Sequence, residues 1–168
     1  MKNANPSLGK QMKEKEMQVD QSLSDFVAND TTLKQFIGYH LKRTTNIMLA
    51  DLANTLAPYE LRMLTYTALV LIVDNPGIRQ YQLADAMDIE RPNLVVIVDE
   101  LEQRELIVRD RVPTDRRAYA LQPTLAGKRL YKKATKSVKE QDQILFKDIS
   151  QGDQKKIVEA LGRFLDKL

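Results

Sequence analysis

The chain has 168 residues, 43% hydrophobic and 29% charged, a length and balance that suit one compact, well-packed domain and exclude a chain disordered throughout. It has no cysteine and a single histidine, His40, which removes disulfides, thiolate catalysis and nearly all transition-metal sites. The net charge is only +3, but from Arg104 to Lys136 ten Lys or Arg stand against three carboxylates, so the positive charge is gathered into one region and the rest of the chain is net acidic.

Residues 1–30, rich in Lys, Glu, Gln and Asn, read as a flexible N-terminal tail without a signal-peptide core, so the expected compartment is the cytoplasm. The longest wholly apolar run, Ala68 to Val73, falls far short of the ~20 residues that span a bilayer, and no membrane partner is expected. From Thr32 the positions Leu33, Ile37, Leu41, Met48 and Leu52 recur at helical spacing and predict a long first helix ending before Pro58. Pro58 suits the first turn of a second helix, carried by Leu61, Leu64, Ala68 and Ile72 until Asn75, Pro76 and Gly77 break it. A short third helix fits Gln80 to Met87, and a fourth opens at Arg91 and Pro92 and runs to about Arg104 with Leu94, Ile97, Val98 and Leu101 as its apolar stripe. Joined by Asp88, Ile89 and Glu90, this pair has the dimensions of a helix-turn-helix, although two uncommitted packed helices would share the pattern.

After Leu106 the period changes. Residues 107–112 and 118–122 read as strands, with Pro113 to Arg117 as a basic turn between them. Thr124 can cap a fifth helix carried by Leu130, Ala134, Val138, Leu145 and Ile149, and Ser150 opens a sixth whose apolar face holds Ile157, Leu161, Phe164, Leu165 and Leu168. The fold class is therefore mainly α with a small β-hairpin. No nucleophile elbow, glycine-rich phosphate loop, acid–base pair or metal cluster appears, so no catalytic residue, metal or cofactor is expected.

Two stretches carry a more specific signal. Asp115-Arg116-Arg117, the strand Ala118 to Leu121, and Thr124-Leu125-Ala126-Gly127 resemble the wing signature of the multiple-antibiotic-resistance regulator (MarR) family, Asp-x-Arg, a strand, then Leu-Thr-x-x-Gly. Leu83-Ala84-Asp85-Ala86-Met87-Asp88-Ile89 and Val98-Asp99-Glu100-Leu101-Glu102 to Ile107 are similar to its scanning and recognition helices, with Glu105 where glycine is usual. The resemblance implies a winged helix-turn-helix lobe at about 58–124, flanked by dimerisation helices at 31–57 and 125–168 within a single 31–168 domain. It further implies a DNA-binding regulator, most often a repressor, that works as a homodimer on a palindromic operator and responds to a small molecule.

A hairpin tip is slim enough for the minor groove, where Arg116 or Arg117 meets the strong negative potential of narrow A·T-rich segments. The resemblance favours Arg117 for insertion and gives Asp115 the role of orienting an arginine. Arg109 and Arg111 are expected on phosphates from the wing stem, and Arg79, Gln80 and Gln82 from the start of the third helix. The fourth helix offers Arg91, Pro92, Asn93, Val95 and Val96 to the major groove. Asn93 can pair with adenine and Arg91 with guanine or phosphate, whereas valines touch only thymine methyls. Part-burial of Val95 and Val96 in the core is the competing reading.

Candidate effector-binding residues are Tyr39, His40, Arg43 and Ile47 on the first helix and Tyr59, Arg62, Met63 and Tyr66 on the second, a set suited to an aromatic or other organic acid. The lysines of the fifth helix also suit a phosphorylated form such as a CoA thioester. The alternative function is a winged helix that binds another protein and has no affinity for DNA.

Overall fold

A computed structural model describes residues 28–112 and 115–166, with backbone alone at 111, 112 and 115–118. The expected tail lies outside the described residues up to position 27, as do Pro113, Thr114 and Leu168. The chain divides into two units, Met1–Thr44 and Thr45–Leu168, taken here in turn.

In the first unit the helical pattern that begins at Thr32 resolves into a 3-10 turn, Leu33–Gln35, followed by α1, Ile37–Leu56, which continues into the second unit. Phe36 breaks the helix between them by adopting an extended conformation. Asp30 gathers the surrounding side chains. It accepts from Lys34 Nζ at 2.6 Å, Tyr39 Oη at 2.5 Å and Arg43 at 3.1 Å. The hydrogen bonds from Lys34 first and Tyr39 second hold its carboxyl at about 2.

In the second unit the 3-10 turn Ala57–Tyr59 precedes α2, Met63–Asp74, so Pro58 sits in that turn and the second helix starts five residues later than its proline suggested. The reason is Glu60, which takes the left-handed conformation at φ 54° and lets Leu61 N–H reach back to Leu56. α2 is apolar nearly all round and runs through the core, with Thr65, Ala68, Leu69 and Ile72 buried. Around it lie α3, Gln80–Ala86; α4, Arg91–Gln103; and α5, Leu125–Leu145. The last helix, α6, is Gln151–Leu165.

Three strands, β1 (Ile78–Arg79), β2 (Ile107–Val112) and β3 (Asp115–Pro123), form an antiparallel sheet in the order β1-β3-β2. Arg109 faces Leu121 across β2 and β3, and Leu121 faces Ile78 on the other side. The chain enters β1 through Gly77 at φ 90°, whose N–H donates to Leu121, a left-handed turn that costs glycine little. β3 starts at Asp115, so residues 115–117, expected in the turn, belong to the strand.

Two expected caps form. Thr124 Oγ1 accepts from Gly127 N–H and Ser150 Oγ from Asp153 N–H. α5 ends at Leu145 and Ile149 falls in the connection to Ser150, outside the helix that its spacing suggested. Three helical segments close in the same way. Glu60, Asp88 and Glu105 all have positive φ, and the residue after each donates to a carbonyl five residues back, at Leu56, Ala84 and Leu101.

Candidate nucleic-acid interface

α4 presents two faces because its apolar residues recur at helical spacing. Leu94, Ile97, Val98 and Leu101 are buried against the rest of the second unit, each worth about 1.5–3 kcal/mol of removal from water. The opposite side carries Arg91, Pro92, Asn93, Val95 and Val96, all exposed, with Val95 at 44% and Val96 at 64%. The valines are therefore surface groups and not part of the core.

The C-terminal half of α4 is acidic, yet each carboxylate is matched by an arginine from another element. Arg109 on β2 binds Asp99 and Glu102 together, and Arg62, just before α2, binds Glu100. The buried Thr65 hydroxyl also donates to Glu100, at 3.4 Å. These pairs neutralise a helix that would otherwise repel phosphate. Arg109 was expected on phosphate from the wing stem. Its guanidinium is instead turned inward, with only 19% of its side chain exposed, and fastens the wing to α4.

Arg104, just beyond α4, donates to the carbonyls of Glu60 at 2.6 Å and Tyr59 at 3.1 Å. It satisfies acceptors that the left-handed turn at Glu60 leaves open. Thr124 does similar work at the wing base. Its hydroxyl donates to the Glu105 carbonyl at 2.7 Å while accepting from Gly127, and its N–H donates to the Leu106 carbonyl. The end of α4, the wing and the start of α5 are thus joined through one side chain.

At the start of α3, Arg79 and Gln80 are half-buried and Gln82 is exposed, its Oε1 accepting from the Arg79 N–H. The side chains of Arg111, Asp115, Arg116 and Arg117 lie outside the described residues; their backbone belongs to β2 and β3. Six basic residues of α5, Lys128, Arg129, Lys132, Lys133, Lys136 and Lys139, are exposed.

The candidate effector residues are placed as follows. Tyr39 and Arg43 are engaged with Asp30, and the His40 ring nitrogen Nε2 donates to the Lys34 carbonyl at 2.8 Å. Ile47 and Met63 are exposed. Tyr59 shares a hydrogen bond with Ser137 at 2.6 Å, Tyr66 donates to Thr135 at 3.2 Å, and Arg62 holds Glu100. A cavity of about 240 Å³ lies between α1 and α5, lined by Met48, Leu49, Leu52, Val138 and Leu145 and spanned by a Gln141 to Asp51 hydrogen bond. None of the candidate effector residues lines it. Among the described residues no group of three or more His, Asp or Glu side chains is placed to hold a metal ion, and no single helix is long and apolar enough to cross a membrane.

This arrangement has clear relatives. The MarR family model matches residues 61–119, which run from the connection just before α2 into β3. A Thauera aromatica protein described as a transcriptional regulatory protein for the hcr operon is 35% identical over 128 residues, covering 76% of this chain and 77% of that one. The transcriptional repressor CouR bound to a 23-mer DNA duplex superimposes with a TM-score of 0.79 and 30% identity, over 83% of this chain and 99% of that one. CouR from Rhodococcus jostii RHA1 bound to p-coumaroyl-CoA gives 0.70 and 32%, over 77% and 91%. Identity of this level across three-quarters of both chains joins the same helix-turn-helix and wing, and the chain belongs to the MarR family of winged-helix transcriptional regulators.

Proposed function

We propose that the protein is a cytoplasmic, homodimeric DNA-binding repressor that leaves a palindromic operator when a small organic acid, or its CoA thioester, binds. The observation that carries the reading is α4 itself. Its exposed face is free of unpaired carboxylates, and it is fastened by Arg109 to a wing whose sequence holds Arg111, Arg116 and Arg117. Arg91 and Asn93 supply polar contacts at the helix start, Arg117 enters the minor groove, and Asp115 orients it. Arg79, Gln80 and Gln82 meet the backbone beside them. Two copies related by a two-fold axis place their helices in half-sites about 10 bp apart.

CouR, a relative at this level of identity, has been solved both with duplex DNA and with p-coumaroyl-CoA, which supports the pairing of operator and acyl-CoA as opposing ligands. In this chain Tyr59 and Arg62 of the α1 to α2 connection, with Tyr66 on α2, suit an aromatic acyl group, and the basic face of α5 suits phosphates. The test is a mobility-shift titration of the promoter fragment upstream of the protein's own gene. A shifted complex that p-coumaroyl-CoA dissolves supports the reading. Absence of any complex at low salt favours the protein-binding winged helix instead.

A further inference from the structure

We infer that Val96 reads a thymine 5-methyl group in the major groove, so that the central part of α4 selects its operator through an apolar contact. The inference rests on the DNA-binding reading above and names what the exposed face of α4 recognises.

Val96 is 64% exposed, on the side of the helix away from the buried Leu94, Ile97, Val98 and Leu101. Helical spacing places Pro92, one turn before it, on the same side, and Val95 next to it is 44% exposed. An arginine reading guanine needs a free guanidinium along this surface, and α4 supplies only Arg91, at its first position. Arg104 is committed to the carbonyls of Tyr59 and Glu60. Farther along the helix Asp99 is bound by Arg109, which leaves it unable to accept freely from a cytosine amine.

The central part of the exposed face is therefore uncharged and apolar. On the floor of the major groove the one apolar group is the thymine methyl. Removing a valine and a methyl together from water gives this contact its driving force, and Asn93 beside it adds directional pairing with adenine.

The experiment uses a duplex that the full-length protein itself selects from a random-sequence pool. Each thymine is replaced in turn by deoxyuridine, which keeps base pairing and removes only the methyl. Wild type should lose about fourfold in affinity at one thymine of each half-site, the worth of about one buried methyl-sized group. Val96→Ala should bind the thymine and deoxyuridine forms of that position equally, and Val96→Thr, which keeps one methyl, should retain part of the discrimination. Thermal unfolding checks that both variants are folded. Equal binding of every deoxyuridine duplex by wild type overturns the inference while leaving DNA binding intact, as does discrimination that persists in full in Val96→Ala. Failure of wild type to select any duplex overturns the DNA-binding reading on which the inference depends.

Discussion

Gly127 packs against the carbonyl of Leu106 so closely that a Cβ built on it would lie 2.0 Å from that oxygen. In an ordinary helix interior, alanine is favoured over glycine by about 1 kcal/mol. Here the sign reverses, because the obstacle is backbone on both sides of the contact. Gly127→Ala should destabilise the protein by about 1–3 kcal/mol, read from the midpoint of urea unfolding. A stabilised variant would show that the start of α5 and the end of α4 are not locked together in this way.

The neighbouring Glu105 gives a prediction of the opposite sign. Its φ of 55° is costly for a residue with a Cβ. Glu105→Gly should stabilise the fold by up to about 1 kcal/mol, the relief of strain outweighing the added freedom of the unfolded chain. Thr124→Ala, which removes both the cap on Gly127 and the link to the Glu105 carbonyl, should cost about 0.5–2 kcal/mol. Both values come from the same urea series.

Arg109→Ala should weaken DNA binding without removing a phosphate contact. Loss of the guanidinium frees Asp99 and Glu102 to repel the duplex and releases the wing from α4. Hydrogen exchange in β2 and β3 should accelerate in the free protein, and Arg109→Lys should not restore it, since one ammonium cannot grip two carboxylates as a guanidinium fork does. Unchanged exchange in the wing would return Arg109 to the role that its position in a basic segment first suggests.

Much of this arrangement was legible in the residue pattern. Helical spacing of Leu94, Ile97, Val98 and Leu101 marked the buried face of α4, because burying one side of a helix imposes that period, and the change after Leu106 to short stretches rich in β-branched and aromatic residues marked the wing strands. The left-handed turn at Glu60 was hidden, since it is not glycine and its closing bond depends on the surrounding packing, whereas Glu105 stands where the family resemblance puts a glycine. β1 has two residues, too few to show a period. Arg109 was misread because its partners stand seven and ten residues upstream on another element, and within a basic stretch nothing local distinguishes a clamp from a phosphate contact.

The Asp30 cluster makes a pH prediction within the first unit. Its carboxyl is held at about 2, below the ordinary 3.8, by Lys34 and Tyr39. A lowered folded-state value means that its contribution to holding the N-terminal turn is fully present above 3.8 and is lost as pH falls through about 2. An NMR titration of the Asp30 carboxyl should show a midpoint near 2. A midpoint at 3.8 would mean that Asp30 is not bound in solution.

The central claim is that α4 and the basic wing form a phosphate-contacting DNA surface, and salt dependence tests it most directly. Affinity for the promoter duplex should fall steeply between low and physiological salt, with log K linear in log salt and a slope reflecting several released counterions. Arg117→Ala should reduce affinity about tenfold and flatten that slope by about one unit. Affinity that does not vary with salt, or an Arg117→Ala variant with the wild-type slope and strength, would contradict the account.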